Sequence, residues 1–158
     1  MKIKYLFLFL LISVLTVSSC KKKETFDAAK QAKADEQIIE DFIAKNHIPA
    51  IKHSNGIYYQ IINAGSGDIA YTDNTTVTAN YTGRLIDGTV FDKTTTTPIA
   101  FKLGGVIEGW RIGVPLIQKG GKIRLLIPSA HGYRQYGKGP VPGNAVLDFD
   151  IELVDVNN

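Results

Sequence analysis

Five short groups between Tyr81 and Phe149 hold the residues of this chain best suited to chemistry, and each is built on aromatic or apolar side chains. In order they are Tyr81-Thr82-Gly83, then Asp87-Gly88 with Phe91-Asp92, then Val106-Ile107-Glu108-Gly109-Trp110, then Ile127-Pro128-Ser129 leading to Tyr133, and Phe149 in a closing apolar run. Aromatic rings with one carboxylate and a few hydroxyls describe a dry pocket with a polar rim. No nucleophile elbow, phosphate-binding loop or metal-ligand spacing accompanies them. Such a set binds, and it catalyses only where binding distorts what is bound.

The elements that must position these groups are mostly strands. Asn55-Gly56 is a turn signal, and the β-branched and aromatic run Ile57 to Ile62 after it reads as a strand ended by Ala64 to Asp68. Thr76 to Gly83 alternates and forms a second strand, and Asp87-Gly88 turns the chain into Thr89 to Asp92. Ile99 to Leu103, Lys122 to Ile127 and Ala145 to Val154 add three more. Within this part only Ile107 to Leu116 looks helical, closed by Pro115 and Gly120-Gly121. Several antiparallel strands around one short helix make an α+β domain. The run Thr94 to Thr97 reads as a loop.

Ahead of the strands, Thr25 to Asn46 is rich in Ala, Lys, Glu, Asp and Gln, with Ile38, Ile39, Phe42 and Ile43 at helical intervals. It reads as one amphipathic helix whose stripe occupies only the second half, the first half being a solvated tether. The stripe must be buried, either on the domain that follows or in a dimer contact. His47, Pro49 and His53 mark a break into irregular chain. The three histidines, His47, His53 and His131, match no compact ligand set, so no metal site is expected and they read as loop and surface residues.

The order, spacing and identity of the five groups resemble the FK506-binding-protein (FKBP) type of peptidyl-prolyl cis-trans isomerase over roughly Gly56 to Val156. The resemblance implies an FKBP-like antiparallel sheet wrapped around one short helix, and a substrate in proline-containing polypeptides. An FK506-like ligand is implied for the same pocket, and no cofactor. Carried over residue by residue, it makes Tyr81, Phe91, Val106, Ile107, Trp110, Val141 and Phe149 the pocket walls, with Trp110 as the floor. It assigns the carbonyl before the proline to the backbone N–H of Ile107 and the hydroxyl of Tyr133, and makes Asp92 the pocket carboxylate tied to Tyr81. Phe101 reads as core. Three departures stand out. Ile99 occupies a place where many members have another aromatic. Arg134 follows Tyr133 where a glycine is usual, so Tyr136-Gly137 is a rival alignment. No arginine in Thr94 to Thr97 partners the acid.

The front end is a separate matter. Lys2 and Lys4 precede an almost unbroken apolar run from Tyr5 to Leu15, and Val17-Ser18-Ser19-Cys20 follows. The run is short of the ~20 residues that span a bilayer, so it reads as a signal peptide. The segment ending at Cys20, the sole cysteine, looks like a bacterial lipobox, which makes Cys20 the lipidated first residue of the mature chain. Loss of Lys2 and Lys4, with no acid lost, takes the formal charge from +3 to +1. A nearly neutral protein offers no electrostatic reason for a nucleic-acid partner. The expected organisation is a lipoprotein signal peptide over residues 1–19, a lipid-anchored tether with its helix over 20–54, and the isomerase domain over 55–158. Lys21 in place of an acidic residue after Cys20 favours the outer membrane, facing the periplasm. The leading function is prolyl isomerisation during folding of exported proteins. Its competitors are a non-catalytic proline-peptide-binding or chaperone module and an accessory lipoprotein of an envelope complex.

Overall fold

The computed structural model describes residues 25–158; the expected signal peptide over 1–19, Cys20 and Lys21 to Lys23 lie outside the described residues. Helix α1 (Ala28–Asn46) starts where the Asp27 carboxylate accepts the N–H groups of Ala29 and Lys30, both at 3.0 Å. Good helix formers carry it on. It stops at His47, whose left-handed backbone (φ 52°) lets the N–H of Ile48 reach the carbonyl of Ile43 at 3.1 Å.

Seven strands follow: β1 (Ile51–Lys52), β2 (Tyr58–Asn63), β3 (Thr76–Leu85), β4 (Val90–Lys93), β5 (Ile99–Lys102), β6 (Lys122–Ile127) and β7 (Leu147–Asn157). All pair antiparallel in one sheet of order β1-β2-β6-β7-β3-β4, and β5 shares the outer edge of β3 with β4. The short helix α2 (Glu108–Gly113), continued by a 3-10 turn over Val114–Leu116, crosses one face.

Period-2 alternation decides what each face meets. Ile123, Leu125 and Ile127 of β6, with Leu147, Phe149, Ile151 and Leu153 of β7, point inward and form the main core under α2. The helix can lie close because Gly109 and Gly113 face the sheet: a Cβ on them would stand 2.5 Å from side-chain atoms of Ile127 and Leu125. The opposite face, with Tyr58, Leu126 and Val146, is covered by α1 through Ile39, Phe42 and Ile43. Arg124 and Asp148 also lie there. Arg124 makes two hydrogen bonds to Asp148, at 2.8 and 2.7 Å, while its guanidinium stands 5.6 Å over the Phe42 ring.

The α+β class and the sheet around one short helix agree with the sequence reading. Four local readings are corrected. β1 forms in chain read as irregular, because the backbone of Ile51 and Lys52 pairs with Tyr59 and Tyr58. The last strand runs three residues past Val154, held by β3. Segments 103–105, 129–131 and 134–136 are 3-10 turns. The first half of α1 is largely exposed, as expected of a solvated stretch, but it is regular helix and is docked through the fully buried Asp35.

Candidate active site

β3 and β4 bring the first two groups together. Tyr81, on β3, donates its hydroxyl to Asp92 Oδ2 at 2.7 Å. The backbone of Tyr81 is held in turn by Thr94, whose Oγ1 accepts the Tyr81 N–H at 3.0 Å. This is the tie that the resemblance implies, and it stands without an arginine: among the described residues no cation lies within 4 Å of Asp92.

α2 delivers Trp110 into the middle of the aromatic set. Its indole meets Tyr81, Phe101 and Phe149 edge-on at centroid distances of 5.3, 5.7 and 5.5 Å. This is the geometry that ring quadrupoles favour. The indole N–H is buried and has no acceptor among the described residues. Just before α2, Ile107 has extended backbone (φ −61°, ψ 152°), its carbonyl accepts the Trp110 N–H, and its own N–H meets no acceptor among the described residues.

These residues enclose a cavity of about 220 Å³ lined by Tyr81, Asp92, Phe101, Gly105, Val106, Ile107, Trp110, Tyr133, Lys138 and Phe149. A larger hollow of about 760 Å³ lies between α1 and the sheet, but Asp41, Lys45, Arg84, Asp87, Arg124, Asp148 and Asp150 make it a charged cleft. Burial first, then the hydrogen bond to Asp92, pushes the Tyr81 phenol well above its usual range. Burial, then the Asp92 charge, raises Tyr133 as well. Both hydroxyls therefore remain protonated donors at neutral pH and above.

Of the residues singled out in the sequence, Tyr81, Asp92, Val106, Ile107, Trp110, Tyr133 and Phe149 line this cavity. Phe91 and Val141 stand behind it. Phe91 packs edge-on against Phe149 at 5.4 Å, across Gly83, where a Cβ would come within 2.7 Å of both rings. Val141 is buried in the main core and closes a turn with Lys138 through two backbone bonds. Of the two tyrosines in the rival alignments, Tyr133 lines the cavity, whereas Tyr136 is 80% exposed. Ile99 is exposed and lines no part of the cavity.

Sequence reasoning missed Phe101, Gly105 and Lys138. Phe101 was read as core, yet it lines the cavity; its pairing with the buried Val77 points it inward, but that register is invisible without the sheet. Lys138 sits 5.8 Å from the centre of the Tyr133 ring. A lone lysine in a glycine-rich loop carries no sequence signal.

A family profile described as FKBP-type peptidyl-prolyl cis-trans isomerase matches residues 67–154. The chain is 41% identical over 141 residues to the FKBP-type peptidyl-prolyl cis-trans isomerase FkpA of Escherichia coli, covering 88% of this chain and 51% of that protein. It therefore spans about half the length of the curated relatives it matches. The crystal structure of FkpA from Escherichia coli superposes with a TM-score of 0.68 at 39% identity, over 82% of this chain and 63% of the other. The crystal structure of a peptidyl-prolyl cis-trans isomerase from Pseudomonas syringae superposes at 0.71 with 31% identity, over 85% of this chain and 98% of that one.

Proposed function

This chain belongs to the family of FKBP-type peptidyl-prolyl cis-trans isomerases, and on that premise we propose that its aromatic cavity turns X–Pro bonds in polypeptides folding in the cell envelope. One observation carries the proposal: the free Ile107 N–H, the Tyr133 hydroxyl and the Asp92–Tyr81 pair converge on one aromatic cavity. Rotation about an X–Pro amide crosses a barrier of about 18–20 kcal/mol, because resonance holds the planar form. At the twisted state that resonance is lost and the amide is less polar. A cavity walled by Tyr81, Phe101, Trp110 and Phe149 offers no solvation to the planar dipole and so favours the twisted form.

The proline ring lies over Trp110. The preceding carbonyl accepts from Ile107 N–H and Tyr133 hydroxyl, which hold one side of the amide while the other rotates. Asp92, kept in place by the Tyr81 phenol, faces the turning bond. Phe91 and Val141 support this wall from behind. No nucleophile or general base takes part. An FK506-like ligand would occupy the same cavity.

Faster cis-to-trans conversion of a Leu-Pro test peptide by the purified chain is the expected result. Asp92→Ala and Tyr133→Phe should each lower kcat/KM by about five- to thirtyfold, as befits a contact worth 1–2 kcal/mol more in the twisted state. A folded chain that leaves the uncatalysed rate unchanged would instead be a proline-peptide-binding module.

The cellular setting belongs to the same proposal. Residues 1–19 act as a lipoprotein signal peptide. Residues 20–54 then link a lipid anchor at Cys20 to the isomerase domain over 55–158, on the periplasmic side of the outer membrane. Among the described residues no helix is long and apolar enough to cross a membrane. Several acyl chains at Cys20 suffice to hold a protein on a bilayer. Cells fed labelled palmitate should yield a labelled protein, and Cys20→Ser should abolish the label; retention of label in that variant would remove the anchor from the proposal.

A further inference from the structure

Asp35 is a charged side chain that the chemistry above does not use, yet it is fully buried. Its Oδ2 accepts two hydrogen bonds from Ser129, the backbone N–H at 2.8 Å and the hydroxyl at 2.6 Å. Its Oδ1 accepts from Gln31 Nε2, one turn earlier on α1, at 2.7 Å. Among the described residues no cation lies within 4 Å of the carboxylate. Burying an ionised carboxylate without a counter-ion is costly, and an apolar residue would fasten a helix to a sheet more cheaply, as Ile39 does one turn further on.

What the carboxylate holds is the start of the segment that carries Tyr133. Ser129 opens the 3-10 turn over 129–131, and its carbonyl accepts the N–H of Gly132 at 3.0 Å. Tyr133 follows at once, and its carbonyl accepts the N–H of Gly137 at 3.1 Å. Hydrogen bonds therefore run from α1 to Ser129 and from Ser129 to Gly132, one peptide link before the residue whose hydroxyl lines the cavity. The Tyr133 hydroxyl has no hydrogen-bond partner among the described residues, so the backbone beneath it sets where it points.

We propose that Asp35 is a positioning residue for isomerisation: α1, bonded to Ser129 just past the end of β6, fixes the Tyr133 hydroxyl over the proline cavity. The proposal rests on the isomerase reading and makes the N-terminal helix part of the catalytic apparatus.

The test is a double-mutant cycle in the full chain, with kcat/KM for a Leu-Pro peptide as the readout. Asp35→Ala should lower kcat/KM about fivefold with Tyr133 present, and less than about twofold in a Tyr133→Phe background, because the lost position matters only while the hydroxyl is there. Asp35→Asn, whose amide oxygen keeps both Ser129 bonds, should restore most of the activity. An equal loss in both backgrounds, or no loss in a folded Asp35→Ala chain, overturns the proposal. Should Asp35→Ala fail to fold, Ser129→Ala removes the hydroxyl bond alone and is read in the same cycle by the same criteria. If the wild-type chain does not accelerate the peptide, the isomerase reading has failed. Asp35 is then judged by the same cycle on affinity for the peptide, followed by emission of Trp110, the single tryptophan of the chain; additive losses would overturn it.

Discussion

Trp110→Ala is expected to unfold the domain at markedly lower denaturant and to abolish proline binding together. The indole is 4% exposed and touches Tyr81, Phe101 and Phe149 edge-on. Truncating a buried tryptophan to alanine costs about 3–5 kcal/mol, through lost burial and the void left behind. Gly109 and Gly113 seat α2 against Ile127 and Leu125, so the helix has no room to sink further and fill that void. Trp110→Phe should cost much less, because it keeps one ring in the cluster and removes an indole N–H that has no acceptor among the described residues. Urea unfolding followed by far-ultraviolet circular dichroism checks both. A loss under about 1 kcal/mol for Trp110→Ala would mean that Trp110 is a wall of the cavity but not a keystone of the core.

Arg124→Met is the second large effect, and it acts on the other face of the sheet. The Asp148 side chain is 3% exposed and depends on Arg124; the next cation, Arg84 Nη1, is 4.0 Å away and bonds Asp150 at 2.6 Å instead. Removing Arg124 leaves a buried carboxylate without its two donors, at a cost of about 3 kcal/mol. The guanidinium also lies over the Phe42 ring, so the hold of the sheet on α1 weakens with it. Adding Asp148→Leu should recover most of the loss, because the stranded charge is then gone. Thermal unfolding of the single and double variants decides the matter. If the single change costs under about 0.5 kcal/mol, Arg84 has moved across to Asp148.

The parts legible in the sequence were those encoded locally. Period-2 alternation marks β3, a β-branched and aromatic run marks β2, and the turn residues Asp87-Gly88 separate β3 from β4. The spacing of Tyr81, Asp92, Ile107, Trp110 and Tyr133 identified most of the cavity because family resemblance supplies contacts that spacing alone does not. What escaped was set by distant partners. Asp35 sits in a stretch of charged residues and looks solvated, yet Ser129 lies 94 positions away. Phe101 turns inward only because β5 pairs with Val77. β1 exists only because β2 offers it an edge, and its two residues carry no pattern of their own. The choice between Tyr133 and Tyr136 depended on how the 129–137 segment folds over the core, which neighbouring residues do not decide.

The sheet order also governs when this chain can fold at all. β7, formed by Leu147–Asn157, lies between β6 and β3 and, among the described residues, is the only strand that joins the β1-β2-β6 half to the β3-β4-β5 half. Without β7 the two halves share no backbone ladder, and the inward faces of Ile123, Leu125 and Val77 have no Leu147, Phe149 or Val156 to cover them. Closure therefore runs through pairings as remote as Thr76 with Asn157, a topology that folds slowly. A chain of this design stays open until β7 docks, and during that interval its unpaired strand edges are exposed to wrong partners.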